Sequence, residues 1–393
     1  MYDPINQPSA GTPLNDLNII PPPPPPRQQG QRDRRLDFWR GLCLIDMVLV
    51  HLVYAPANVQ FGDWLGLKLI GAYTRFAAGG FIFISGLSIG VIFLPRARQD
   101  RYRPGVYRAL WRRSIFILAV QYVSAMGLLL LDTARSTGVA SVNPWAMIRD
   151  VFLLRQGGDL LPFYVFMIAL SPFLLEIVRR SWGWIAVVAG SLCLFAWGTH
   201  HPWFLAPAAD QKFPPVLWQV IFIMGLIFGV AYPYYNALAR RWKILAATIS
   251  WVVFALLFDS EYSSDFGLPH IHLWMSFAKV PLSNGEALRY LSMIFGIATT
   301  TDLLWRFIAP TGFAAFVETL GRKSLPVYVA HLWVVEGMGF LAAACVSMGR
   351  WQIIFAPAAV LILWLFALLL DVYKAPKARP QPASWSIPEM ARG

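Results

Sequence analysis

"RLDFWRGLCLIDMVLVH", residues 35 to 51, sets an arginine near the start of an apolar run and a histidine deep within it. If the run is a helix, the eleven residues from Arg40 to His51 close to within about 20° of one face and span roughly 16 Å along the axis. One face then carries both side chains. Asp46, five residues before His51, points away from it by the same count. An orienting partner for the imidazole has to come from another helix.

The rest of the chain agrees that this run crosses a membrane. Its 393 residues are 57% hydrophobic and 15% aromatic, with only 14% charged, which is too apolar for a soluble globular protein. A transmembrane helix needs roughly 20 mostly apolar residues, and about ten runs qualify. They lie near 41–57, 75–95, 113–132, 159–178, 183–198, 216–234, 243–259, 286–307, 324–345 and 351–372. The expected fold is all-α, a polytopic integral membrane protein with about ten transmembrane helices.

Cytoplasmic loops carry the excess of arginine and lysine. One side collects Arg32, Arg34 and Arg35, then Arg96, Arg98, Arg101, Arg103, Arg108, Arg112 and Arg113, then Arg179 and Arg180, then Arg240, Arg241 and Lys243. Arg306, Arg322, Lys323, Lys374, Lys377 and Arg379 follow on that side. The opposite loops, such as "WGTHHPWFLAPAADQKF" and "DSEYSSDFGLPHIH", are aromatic, acidic or histidine-bearing. Ten spans with both termini cytoplasmic satisfy this alternation. The net charge of +12 is thus topological, spread among loops rather than gathered on a nucleic-acid-binding domain.

Residues 1–31 contain "IIPPPPPP" and no apolar core, and are expected to be a disordered, proline-rich cytoplasmic tail. Residues 32–374 form one transmembrane domain in this reading, and 375–393 a cytoplasmic C-terminal tail. No basic stretch, apolar core and small-residue cleavage site are found in sequence at the start, so the first span is expected to remain as a membrane helix. Cys43, Cys193 and Cys345 sit singly within spans, which makes neither a disulfide nor a zinc site.

An ionisable side chain in a span is costly, which makes function the default reading of His51. A bland reading stands beside it: a packed imidazole bonded to a neighbouring backbone or tyrosine. For Arg40 the bland reading is a guanidinium reaching out to the lipid headgroups.

Arginine, ten residues, then histidine in the first span resembles the acyltransferase-3 family, membrane enzymes that move acyl groups from coenzyme A to extracytoplasmic sugars. "RDRRLDFWRGLCLIDMVLVH" is followed by "GGFIFISGLSIG", "LLPFYVFMIALSPFLL", "PPVLWQVIFIMGLIFG", "AKVPLSNGEALRYLSMIFG" and "GRKSLPVYVAHLW". That order is similar to the OpgC branch, which succinylates osmoregulated periplasmic glucans, and it covers residues 32 to about 345. The resemblance implies a multi-pass protein of the bacterial inner membrane with acyl-CoA, succinyl-CoA in this branch, as donor on the cytoplasmic side. A glycan acceptor would enter from the periplasm, with no permanently bound cofactor and no metal.

The chemistry of the residues fits that implication. Moving an acyl group from a thioester to a sugar hydroxyl needs a base, and imidazole titrates near neutrality. His51 is the expected general base, with a covalent acyl-histidine as the competing mechanism. The phosphates of coenzyme A need cations, and Arg108, Arg112 and Arg113 in "RYRPGVYRALWRRSIFI" are candidates, Arg108 and Arg112 sharing a helix face. The family pattern has two residues between its paired arginines where this chain has three, and a plain positive-inside loop is the alternative. Arg40 is a second candidate for holding the donor.

His331, in "GRKSLPVYVAHLW", reads either as a core histidine or as a group lining the donor path and orienting the thioester carbonyl. Ser85 matches the second-span motif, although a serine there more often makes an interhelical hydrogen bond, and Gly86 and Gly90 are spaced for close helix packing. Asp159, before "LLPFY", matches an aspartate of the OpgC branch and is an acceptor-binding candidate. Lys279 matches too, and would pair with the second carboxylate of a succinyl group or line the acceptor cleft. Trp218 suits sugar stacking, although aromatics are expected at membrane interfaces in any case. His200, His201, His270 and His272 read as a polar outer loop; only "HIH" hints at a weak metal site.

A different class remains in view, a transporter or flippase of a lipid-linked sugar. Such proteins often carry inverted repeats. No second copy of the first-span motif occurs in the later half, which disfavours it.

Overall fold

The computed structural model describes residues 33–54, 76–135, 160–202, 213–262, 275–278, 281–344 and 354–374. Both tails, Cys345, Asp159, Lys279, His270 and His272 lie outside those residues.

Among the described residues there are no strands and eleven helices. In chain order they are α1 Arg34–Leu49, α2 Ala77–Ala97, α3 Arg103–Arg135, α4 Leu160–Val178, α5 Gly183–Gly198 and α6 Pro215–Ala237. Then come α7 Arg240–Tyr262, α8 Asn284–Ile308, α9 Gly312–Arg322, α10 Ser324–Ala344 and α11 Phe355–Lys374. The protein is an all-α, multi-pass membrane protein.

Seven of these helices contain a stretch long and apolar enough to cross a bilayer: α2, α4, α6, α7, α8, α10 and α11. The other three expected spans fall on α1, α3 and α5. Helix α1 has 16 residues and gains length from a π-helical turn, Val50–Tyr54. Helix α5 is also short, at 16 residues. Helix α9 is the element that no apolar run announced. It has eleven residues, too few to span, and is strongly amphipathic. Thr311 caps it by accepting a hydrogen bond from the Ala314 amide at 3.1 Å.

Small residues bring the helix pairs close. On α2, a Cβ on Gly86 would lie 2.0 Å from the Phe222 carbonyl oxygen, and on α6 one on Gly225 would lie 2.0 Å from the Phe83 carbonyl. Gly90 meets Gly229 one turn along. The expected glycine packing of α2 is therefore reciprocal, a small-residue seam of the kind that lets helices associate in lipid. Where α1 crosses α9, backbones touch in the same way, Gly41 against Val317 and Gly321 against Asp37. Between α5 and α6 the join is polar: Ser191 Oγ donates to Gln219 Oε1 at 2.6 Å, and Gln219 Nε2 donates back to the Ser191 carbonyl.

Several cations read as topological signals also form ion pairs. Arg35 is bonded to Asp33 and Asp302, Lys243 Nζ lies 2.9 Å from Asp302 Oδ2, and Tyr232 donates to Asp33 at 2.8 Å. This cluster joins α1, α6, α7 and α8 where α1 begins. Burial works against the charge of Arg35, yet the hydrogen bond to Asp33 and the surrounding negative groups hold its pKa above the ordinary arginine value. Arg34 makes a two-pronged bond to Glu318 of α9 at 2.9 Å, and Lys323 pairs with Asp371 of α11 at 2.6 Å.

Candidate functional site

A cavity of about 70 Å³ lies among α1, α2, α3, α4 and α10. Its polar lining is Arg40, Ser85, Ser88, Arg113, Tyr164, Ser324 and Tyr328, set among apolar neighbours such as Phe81, Ile89, Leu110, Ile117 and Leu161. Two guanidinium groups and five hydroxyls thus share a small, mostly apolar space. In such low-dielectric surroundings each charge and donor counts for more than in water.

Arg40 is aimed rather than left to wander. Its Nη1 donates to Asp37 one turn earlier at 3.1 Å, and its Nη2 donates to Ser88 Oγ across the helix pair. Ser88 Oγ in turn donates to the Ile84 carbonyl at 2.6 Å. Ser88 directly precedes a second π-helical turn, Ile89–Phe93. Arg113 reaches the cavity from α3 on the same face as Leu110 and Ile117. No carboxylate pairs with it among the described residues. Helix α4 fixes that face, because Trp111 Nε1 donates to the Ala169 carbonyl at 3.2 Å and Ser114 Oγ to the Val165 carbonyl at 2.8 Å.

Beyond Tyr328 lies a pair of histidines. His51, half-buried in the π turn after α1, and His331 of α10 have ring centroids 5.8 Å apart, tilted by 42°. His331 is fully buried. Its Nδ1–H donates to the Tyr328 carbonyl, and its Nε2 has no hydrogen-bond partner among the described residues. The Tyr328 ring sits 4.8 Å from the His331 ring and 6.1 Å from Phe81. Tyr328 therefore touches both the cavity and the histidine pair.

Of the residues expected from the sequence, Arg40, Arg113 and Ser85 meet at one cavity, and His51 meets His331 beside it. Arg108 and Arg112 do not line the cavity; Arg113, exposed on the helix as they are, does. Trp218 is wholly buried, packed 4.8 Å from Phe213 and 5.4 Å from Tyr290, so its ring is inside the protein. His200 and His201 are exposed at the end of α5. Asp46 is buried on α1. Among the described residues no group of three or more histidines, cysteines, aspartates or glutamates is placed to hold a metal ion.

Four polar lining residues were not singled out in the sequence: Ser88, Tyr164, Ser324 and Tyr328. Tyr328 stands three residues before His331, on the same helix face, and that spacing was a usable signal. Ser88 lies three residues after Ser85 for the same reason. Tyr164 ends the quoted "LLPFY", but nothing in the sequence alone says which way its hydroxyl points.

A family model described as "OpgC protein" matches residues 32–375. The chain belongs to the OpgC family. No match was found among curated proteins, nor among solved structures.

Proposed function

We propose that this OpgC-family protein is a membrane O-acyltransferase acting in the modification of osmoregulated periplasmic glucans. The donor is an acyl-coenzyme A, succinyl-CoA in the reading we favour, and the acceptor is a glucan hydroxyl presented from the periplasmic side. The chain works in the bacterial inner membrane, between the two compartments that hold these substrates.

His51 takes the proton of the acceptor hydroxyl as its oxygen attacks the thioester carbonyl carbon. The carbon–sulfur bond then breaks, the ester oxygen bond is made, and the proton passes to the departing coenzyme A sulfur. Arg40 and Arg113 hold the anionic donor, and their charge stabilises the oxyanion that forms at the thioester carbonyl. Ser85, Ser88 and Tyr164 supply neutral hydrogen bonds along the same path. Asp159 and Lys279 are assigned to the acceptor side.

The observation that carries this reading is the convergence of Arg40 and Arg113 on one small cavity next to the His51–His331 pair. Paired cations suit an anionic thioester carrier, and a neighbouring imidazole suits the proton transfer. The test is transfer of label from radioactive succinyl-CoA to glucan in membranes that contain the protein. Label in the glucan is the expected result. Intact glucan moved across the membrane without acylation would overturn the enzyme reading in favour of transport.

A further inference from the structure

We infer that His331 is the positioning residue for His51: its Nε2 accepts a hydrogen bond relayed from the His51 ring through one water, and so orients the imidazole for the acceptor hydroxyl. The inference rests on the acyl-transfer reading.

The tautomer of His331 follows from its surroundings. A backbone carbonyl can only accept, so the bond from Nδ1 to the Tyr328 carbonyl fixes the proton on Nδ1. A neutral imidazole protonated there carries its lone pair on Nε2. That nitrogen is buried and has no hydrogen-bond partner among the described residues, and a buried acceptor left unmet is costly. The His51 ring lies beside it, with centroids 5.8 Å apart, a spacing that one bridging water can close.

The frame around His331 is stiff enough for this role. Its ring packs against Tyr328, and its helix is held on α3 where the Trp333 indole fills the space beside Gly127, 2.4 Å from where a Cβ would stand. His51 sits in a π turn, a local rewinding that recurs at functional sites because it re-aims side chains. A neutral acceptor suits a base in lipid surroundings. It fixes the His51 tautomer without adding a second buried charge, and the bond strengthens when His51 becomes imidazolium.

The test uses full-length protein in membranes with succinyl-CoA and glucan, measuring kcat and donor KM separately for His331→Phe and His331→Gln. Phenylalanine keeps the ring packing against Tyr328 but offers no lone pair, while glutamine can place an acceptor oxygen near the position of Nε2. The expected result is a kcat lowered roughly 10- to 100-fold by His331→Phe at unchanged donor KM, with most of it restored in His331→Gln. Wild-type kcat in His331→Phe would overturn the proposal, as would equal losses in both variants. A raised donor KM at normal kcat would place His331 on the donor path instead and also overturn it.

A measurement that needs no turnover separates this inference from the acyl-transfer reading. In protein labelled with 15N-histidine, the Nε2 signal that disappears in His331→Gln should lie at an unprotonated, hydrogen-bonded position and move when His51 is replaced by glutamine. A signal that does not move would overturn the pairing, even if acyl transfer is confirmed. Failure of wild-type membranes to acylate glucan would overturn the function while leaving the spectrum to decide the pairing.

Discussion

Arg40 of α1 and Arg113 of α3 line the same cavity, brought together from helices that are far apart in the chain. Two like charges converge on a small space most favourably when an anion fills it, and the donor supplies one. Arg113→Ala is therefore expected to raise the donor KM by roughly 10-fold or more, the scale of a lost hydrogen bond to a charged group. Arg108→Ala, outside the cavity lining, should stay within about twofold of wild type, as surface charges usually do. Equal effects at the two positions would remove Arg113 from the donor site.

His51→Ala should leave a folded, membrane-inserted protein that binds acyl-CoA but has lost transfer by roughly 100-fold or more, the contribution of a proton acceptor. His51→Gln sharpens the test, because glutamine replaces hydrogen bonds yet accepts no proton near neutral pH. Near-normal glucan acylation by the glutamine variant, read by mass spectrometry of periplasmic glycans, would sink the base assignment. A variant that lost stability while its folded fraction stayed active would make His51 a packed imidazole instead.

What could be read in the sequence was whatever one helix decides by itself. The apolar runs followed from length and composition, while the count that set Arg40 and His51 on one face assumed a regular α-helix, and His51 stands in a π turn beyond its end. The two π turns were not legible, since they depend on how α1 and α2 seat against their neighbours. The choice of Arg113 over Arg108 and Arg112 was hidden for the same reason: it is made by α4, through the bonds of Trp111 and Ser114. Helix α9 escaped notice because it is too short and too amphipathic to register as a span, although Gly41 on α1 was already shaped to receive it.

Gly41 offers a direct measure of that contact. A Cβ there would lie 2.0 Å from the Val317 carbonyl oxygen, and backbone cannot swing aside as a flexible side chain can. Gly41→Ala should cost about 1–3 kcal/mol, the usual range for overpacking, despite the better helix propensity of alanine. The melting temperature in detergent should fall accordingly. An unchanged or raised melting temperature would mean that α1 and α9 do not touch as closely as described.

Topology is open to a simple reading. A reporter fused after residue 205 should face the periplasm and one fused after residue 240 the cytoplasm, because the cations at Arg240, Arg241 and Lys243 mark the inner side. The opposite pattern in the two fusions would break the orientation on which the donor and acceptor sides rest.

Asp302 gives the last prediction, since it holds two cations at once. Arg35 and Lys243 both bond to it, and all three side chains are nearly enclosed, at 11%, 14% and 7% exposed for Arg35, Lys243 and Asp302. Removing the central carboxylate leaves two buried positive charges with less compensation, which costs far more than a surface pair would. Asp302→Asn keeps the shape but turns half of the acceptor into a donor facing those cations. The expected loss is on the order of 3 kcal/mol, seen as a lower melting temperature in detergent. Lys243→Met in the same chain removes one stranded charge and should recover part of the loss, so the two changes should not add. Because none of these side chains lines the cavity, the donor KM of the folded fraction should stay at its wild-type value. Additive losses would show that Asp302 and Lys243 act independently and that the cluster is not a unit.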